Sequence, residues 1–316
     1  MENQIKVVSL VGPTASGKTR LGIDLAKRFN GEIISADSMQ IYKGMKIATA
    51  KPTEEETQGI KHHLIDFVPA DCSYSVARFV EDASRCIDDI YSRGKLPLIV
   101  GGTGLYVDSL LNNIKFNEEI RDEAKSGELW QIYRNDGIEK LLDILDGIDR
   151  ESKIRLEEER NPKRIIRAIE FYYTTGMTIT RQIADSRLEK SPYTAVKLGL
   201  NFNDREKLYE RINKRVDLML EQGLLEETKQ VLGKDLSFTS VKAIGYKELA
   251  PYFNNEKSLE ECIEKLKQST RRYAKRQITW FKRDKDIHWL YADSYSSYEE
   301  MLGEAVNIIN EGLFYG

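Results

Sequence analysis

The sequence predicts an α/β protein, a parallel sheet core with helices on both faces and a mostly helical inserted domain. Three observations predict it. Short β-branched apolar runs alternate with amphipathic stretches through the first part of the chain. A glycine-rich turn joins the first apolar run to the first amphipathic stretch. Beyond about Phe116 strand signals give way to charge and helical periodicity, and a strand-like run then returns.

Each element has a local reason. Ile5–Val11 is short, β-branched and bounded by Gly12, as a buried strand should be. Residues 18–29 put Leu21, Leu25 and Ala26 on one helical face. Residues 32–36 and 96–100 read as further buried strands, the second stopped by Gly101 and Gly102. A helix over 75–92 ends near Gly94. Residues 118–184 are charged and helical in period, 193–202 a strand, and 205–220 a helix with Leu208, Ile212, Val216 and Met219 inward. Leu259–Phe281 reads as a long basic helix, 287–290 as a last strand and 298–310 as a closing helix. The core is therefore expected at 1–116 and 187–316, and the insertion at 117–186.

Composition bounds the function. The chain has 316 residues, of which 41% are hydrophobic and 31% charged, enough for a packed core and too apolar for a disordered chain. No apolar run approaches the ~18 residues a membrane helix needs, and Ile5–Val11 is too short for a secretory signal, so a cytoplasmic enzyme is expected. Cys72, Cys86 and Cys262 lack metal-type spacing and read as reduced thiols. Net charge is −3, yet nine Lys or Arg residues and one acid, Asp284, lie between Lys265 and Lys285. Such a local stripe can meet phosphates although the whole chain is acidic.

Gly12-Pro13-Thr14-Ala15-Ser16-Gly17-Lys18-Thr19 lies between a predicted strand and a predicted helix. In that context it is a phosphate-binding P-loop, and the core is P-loop NTPase-like. Backbone N–H groups of the turn and the following helix N-terminus face the phosphates. Lys18 adds a positive charge, and the Thr19 hydroxyl is a Mg²⁺ ligand. Enzymes that transfer a γ-phosphoryl group usually carry a second strand ending in Asp, but here Leu98-Ile99-Val100 runs into Gly101-Gly102-Thr103-Gly104. The nearest acid at a strand end is Asp37, which residue type and position leave open as metal ligand, helix cap or general base.

Asp37-Ser38-Met39-Gln40-Ile41-Tyr42, followed by Ala50-Lys51-Pro52, resembles the tRNA dimethylallyltransferases (isopentenylpyrophosphate transferases). So do the P-loop, His62-His63-Leu64-Ile65-Asp66 and Gly101-Gly102-Thr103-Gly104-Leu105-Tyr106. Ala243-Ile244-Gly245-Tyr246-Lys247-Glu248 and Arg271-Arg272-Tyr273-Ala274-Lys275-Arg276-Gln277 resemble the same family, in order over nearly the whole chain. Lys46 and Ala48 stand where the family usually has Asp and Gly.

The resemblance implies transfer of a dimethylallyl group from its diphosphate to the exocyclic amino group of the adenosine just 3′ of the anticodon. The cradle then stabilises departing pyrophosphate rather than attacking a nucleotide. It implies Asp37 as general base, Thr103 as a contact to the target base and Arg215 as a second cation on the leaving group, with Mg²⁺ at Thr19. It also implies tRNA contacts at Asp37, Ser38, Met39 and Gln40, and at Arg121 and Lys163-Arg164-Ile165-Ile166-Arg167. Lys242, Ala243, Ile244, Gly245, Tyr246 and Lys247 follow in the same way. A monomer acting on a tRNA anticodon stem-loop is expected.

By residue type alone, Arg215 also reads as a solvated helix arginine and Thr103 as a cap. His62 and His63 are adjacent, so an extended chain points them to opposite faces and they read as structural. Trp130, Trp280 and Trp289 read as core, and Glu54-Glu55-Glu56 as a solvated helix start. Ser16 has no base nearby in sequence to make it a nucleophile. A P-loop kinase, an isopentenyltransferase of free adenine nucleotides and a non-catalytic RNA-binding protein are the rival readings. The first would consume ATP, the second would not need the helical insertion, and the third would tolerate loss of Asp37.

Overall fold

The computed structural model describes residues 4–114, 123–188, 190–233 and 243–315. The chain forms two compact units, Met1–Leu111 with Pro192–Gly316, and Asn112–Ser191. No helix among the described residues is long and apolar enough to cross a membrane.

The first half of the core unit runs β1 (Ile5–Val11), α1 (Lys18–Arg28), β2 (Gly31–Ser35), α2 (Glu54–Thr57), β3 (His62–His63), α3 (Val76–Ser92), β4 (Leu96–Gly101) and α4 (Gly104–Leu111). The second unit carries α5 (Glu123–Asp146), α6 (Arg150–Glu157), α7 (Pro162–Thr175) and α8 (Ile179–Leu188). The core then resumes with β5 (Tyr193–Asn201), α9 (Arg205–Glu221), α10 (Leu224–Leu232), α11 (Tyr246–Phe253), α12 (Leu259–Phe281), β6 (His288–Tyr291) and α13 (Tyr298–Leu313).

The six strands form one sheet of order β3-β2-β4-β1-β5-β6, and every pairing is parallel. Period-2 alternation sends Val7, Val11, Ile34 and Ile99 to one face, against Phe79, Ala83 and Ile87 of α3 and Tyr106 of α4. Val8, Leu10, Ile33 and Leu98 face the other way, against Leu21 and Leu25 of α1 and Ala305 and Ile309 of α13. A sheet buried on both faces explains why its strands are near-continuous apolar runs. Two strands differ slightly from expectation. β2 begins at Gly31, which pairs with Leu96 of β4, and β6 is shifted to His288–Tyr291 by pairing with β5.

The parallel register brings the carboxyl ends of β1, β2, β4 and β5 to one edge, with Val11 opposite both Gly101 and Gly199, and Ser35 opposite Val100. β1 enters between β4 and β5, so the chain passes to one side of β1 and later to the other. That reversal point is where open parallel sheets hold ligands.

The helical unit has its own core of Leu129, Leu141, Leu142, Leu145, Leu156, Ile165, Ile166 and Ile169. α5 is broken by Gly137, whose φ of 79° lies in the left-handed region. Buried Asp149 caps α6 through Ser152 N (3.0 Å) and also accepts from Thr180 N (3.1 Å) and Thr180 Oγ1 (2.7 Å), joining α6 to α8.

Candidate active site

The glycine-rich turn between β1 and α1 has the backbone its sequence requires. Gly12 (φ 147°) and Gly17 (φ 102°) lie in the positive-φ region, and a Cβ on Gly12 would sit 2.2 Å from Leu200 O. Lys18 Nζ folds back to donate to Pro13 O at 2.6 Å. Burial, with nearby Arg215 second and Asp37 opposing, pulls the Lys18 ammonium down to about 7. The Thr19 side chain is exposed and lines the same cleft. Ser16 Oγ is buried with no hydrogen-bond partner among the described residues, so no base activates it as a nucleophile.

Arg215 is not a solvated helix arginine. From α9 its Nη1 donates to Thr14 Oγ1 at 3.2 Å, and burial lowers its pKa against the opposing pull of Asp37. One turn earlier Arg211 Nε donates to Ala15 O at 2.9 Å. Sequence reasoning does not single out Arg211, although its i, i+4 spacing from Arg215 is the available signal.

Asp37 follows β2 in a turn rather than capping a helix. Its Oδ1 accepts from Met39 N at 2.9 Å and Gln40 N at 3.4 Å, while Oδ2 accepts no bond from the described residues. Asp37 is therefore oriented by its own turn with one oxygen free for chemistry. Thr103 is bound into the adjoining loop, where its Oγ1 accepts from Ser38 N at 2.9 Å and its N–H donates to Ala36 O at 3.0 Å. The Tyr273 hydroxyl, pushed up by burial, lies beside Thr103. Gln40 faces inward, with Nε2 donating to Thr49 O (3.2 Å) and Ala50 O (3.1 Å) and Oε1 accepting from Ser35 Oγ.

Other motif residues turn out to tie these loops together. Lys51 Nζ donates to Tyr42 O and Asp66 Oδ1, so one lysine links three of the motifs. Glu227 accepts from the backbone of Lys46 (2.8 Å), Ile47 (2.8 Å) and Ala48 (2.9 Å) and from Tyr246 Oη (2.8 Å). At positions 46 and 48 these bonds use the main-chain N–H, which any residue but proline supplies. Ala48 fits because residue 245 is glycine, where a Cβ would lie 3.1 Å from that of Ala48. His63 Nε2 pairs with Glu32 Oε2 at 2.7 Å, and His62 Nδ1 bonds Ile60 O at 2.9 Å and lines the cradle cleft, so the two rings face different partners.

Two clefts meet this edge of the core. A smaller one, about 80 Å³, is lined by Thr14, Lys18, Thr19, Ser35, Asp37 and Arg215 among others. A larger one, about 230 Å³, adds Ser38, Met39, Met219, Ala243, Ile244, Gly245, Lys247 and Arg276. They share Thr14, Asp37, Thr49 and Arg215. Tyr246 differs from its expectation as an RNA contact, being 1% exposed and turned to Glu227.

In the helical unit α7 presents Lys163 and Arg164 to solvent, with Arg167 half-buried. Arg164 pairs with Glu159, and Arg167 lies 3.9 Å from Glu170. Ile165 and Ile166 correct the expectation of side-chain RNA contacts, since they are 0% and 2% exposed in that unit's core. The helical period turns two of five consecutive residues inward. Arg121 and Lys242 lie outside the described residues.

Comparison with known proteins shows the family. The family model described as IPP transferase matches residues 40–284, and one described as isopentenyl transferase matches 5–69. A tRNA dimethylallyltransferase of Acetivibrio thermocellus is 49% identical over 298 residues, covering 94% of this chain and 95% of its own. The tRNA isopentenylpyrophosphate transferase structure from Bacillus halodurans superposes with a TM-score of 0.74 at 41% identity, over 98% of this chain and 97% of that one. A eukaryotic dimethylallyltransferase acting on tRNA gives a TM-score of 0.78 at 30% identity, over 95% of this chain and 77% of that one. The chain belongs to the tRNA dimethylallyltransferase (IPP transferase) family.

Proposed function

We propose that this protein transfers a dimethylallyl group from dimethylallyl diphosphate to the exocyclic amino group of the adenosine 3′-adjacent to the anticodon in tRNA, releasing pyrophosphate. The observation that carries the proposal is the sharing of Asp37, Thr14 and Arg215 by the two clefts. A diphosphate in the cradle cleft and a base in the larger cleft would meet at those residues.

The amino group of adenine is a poor nucleophile because its lone pair is delocalised into the ring. In the reaction the C1–O bond to the diphosphate breaks, its electron pair leaves with pyrophosphate, and the amino nitrogen bonds C1. The amino proton passes to the free Oδ2 of Asp37, a step in the range of 10²–10⁴-fold for general-base catalysis. Lys18, Arg215 and the free backbone amides of the cradle, Thr14 N–H being taken by Gln277, stabilise the charge that develops on the leaving oxygen.

The cradle cleft is lined by the oxygen-bearing residues Thr14, Thr19, Ser35 and Asp37, a hard-donor set that suits Mg²⁺ bound chiefly through diphosphate and water. Thr19 would hold the ion, whose chemistry is to neutralise pyrophosphate charge. The target base must leave the stack of the anticodon loop to reach the larger cleft. Thr103 and the 37–40 turn then face it, while Lys163, Arg164, Arg167, Lys247, Arg121 and Lys242 meet phosphates. The protein acts as a monomer in the cytoplasm on this reading.

Incubation with unmodified tRNA and dimethylallyl diphosphate tests it. One dimethylallyl-adenosine per pyrophosphate released is the expected result. Consumption of ATP with no added mass on the tRNA would favour the kinase reading, and product on free AMP but not on tRNA the nucleotide-prenylating one.

A further inference from the structure

α12 is the basic helix that sequence reading turns toward RNA, yet two uncharged residues on it, Tyr273 and Gln277, line the clefts, and a third, Trp280, packs beside Gly104. Tyr273, Gln277 and Trp280 lie at i, i+4 and i+7 and so share one helical face. Tyr273 lies beside Thr103, and Trp280 lies where a Cβ on Gly104 would come within 2.2 Å of its ring. Trp280 is fixed in turn by donating Nε1 to Asp108 Oδ2 at 2.6 Å. Between them, Gln277 is 5% exposed and reaches two different loops. Its Oε1 accepts from Thr14 N at 2.9 Å, and its Nε2 donates to Gly102 O at 2.9 Å.

A buried amide with both ends bonded is well determined in position, because leaving either group unpaired carries the full desolvation cost. The loops it joins have different duties. Thr14 begins the cradle and accepts from Arg215, while Gly102 precedes Thr103, which holds Ser38 beside Asp37. The missing side chain at 102 fits the same arrangement. A Cβ there would lie 2.1 Å from Gln277 Nε2, and Gly102 is outside the positive-φ region, so the close approach rather than the backbone angle excludes a side chain.

We infer that Gln277 is a positioning residue for the transfer reaction, clamping the diphosphate loop to the loop that carries Thr103 so that the two substrates' reacting atoms are held in line. The inference rests on the transferase reading. In-line displacement is sensitive to distance, and small misplacements cost large factors in rate while leaving each substrate's own contacts in place.

The test is a double-mutant cycle with steady-state kinetics for both substrates. Gln277→Met keeps the volume and removes both hydrogen bonds. Gly102→Ala pushes the amide away from the other side and displaces only the tip of a flexible side chain. Each is expected to lower kcat about 10- to 100-fold with both KM values within about threefold, and the double variant is expected to be no slower than the worse single one. Multiplying losses, a loss confined to KM, or an unchanged kcat in a cooperatively melting Gln277→Met would overturn the clamp. Should Gln277→Met not fold, Gln277→Asn, which carries the same groups one methylene short, takes its place with the same expectations. Wild-type protein is assayed first. Failure there overturns the transferase reading, whereas an active wild type with an additive cycle overturns the clamp alone.

Discussion

Two sets of cations in this molecule look alike in the sequence and differ in the structure. Arg215 on α9 is half-buried, its guanidinium drawn out of water and bonded to the cradle at Thr14. Lys163 and Arg164 on α7 are exposed, and Arg164 already has Glu159 as partner. A buried guanidinium without its counter-charge is costly, so it is kept where an anion is to be received. Exposed cations cost little and act through long-range, salt-screened attraction. The difference separates chemistry from docking, and substitutions in each set put that separation to the test.

The largest effect belongs to the acid beside the buried cations. Asp37→Asn keeps the turn's acceptor and removes the base, so kcat should fall by about 10²–10⁴ while RNA affinity holds. Parallel single-turnover and filter-binding measurements check both halves, and an equal loss of binding would make Asp37 a docking residue. Arg215→Gln comes next, with about 10²–10³ lost from kcat as one stabilising interaction with developing charge is removed. Full activity at saturating donor would move Arg215 into the docking class.

Lys18 gives a pH signature. With its pKa lowered by burial to about 7 in the free protein, the charged form is nearly complete about a unit or more below pH 7, half present near pH 7 and lost progressively above it. Binding of a diphosphate favours the charged form, so KM for the donor should rise by up to about tenfold per pH unit above 7. Lys18→Met should flatten that rise, and a KM independent of pH between 6 and 9 in the wild type would contradict it.

The exposed set predicts a gentler outcome. Replacing Lys163, Arg164 and Arg167 together by alanine should leave kcat unchanged at saturating RNA. The slope of log affinity against log salt should fall by about 0.7–0.9 for each phosphate that is no longer neutralised. Smaller still for function is Ile165→Ala. It should cost about 2–5 kcal/mol of stability in the helical unit's core with the salt slope untouched, as read by chemical denaturation and salt titration. A changed slope in a stable Ile165→Ala protein would return that side chain to the interface.

The same comparison marks what the sequence discloses. β1, β4, α1 and the cradle are legible because strand and helix periods are strong there and Gly12 and Gly17 mark the positive-φ turn. β3 is two residues on a sheet edge, too short for any period to show. Asp37 is visible as an acid at a strand end, but its orientation depends on a bond to its own turn that no pattern encodes. Ile165 and Ile166 group with their charged neighbours because a motif is contiguous, whereas a helix sends consecutive residues to different faces. The spacing of Ile165, Ile166 and Ile169 carries the correction within it. The roles of Gln277, quoted only within a motif, and of Arg211 escape sequence reasoning for a different reason. Their partners are main-chain atoms of Thr14, Gly102 and Ala15, over 170 residues away in each case, and long-range bonds to backbone leave no residue-type signature.

The central claim is that this P-loop holds departing pyrophosphate beside a base-positioned Asp37. It is tested most directly by mixing wild type and Asp37→Asn with an unmodified anticodon stem-loop RNA and dimethylallyl diphosphate, following pyrophosphate release and RNA mass together. The account predicts equal pyrophosphate and dimethylallyl-adenosine from the wild type, and both formed about 10²–10⁴-fold more slowly by Asp37→Asn with RNA binding kept. Pyrophosphate release without added mass, or unaltered product from Asp37→Asn, would contradict it.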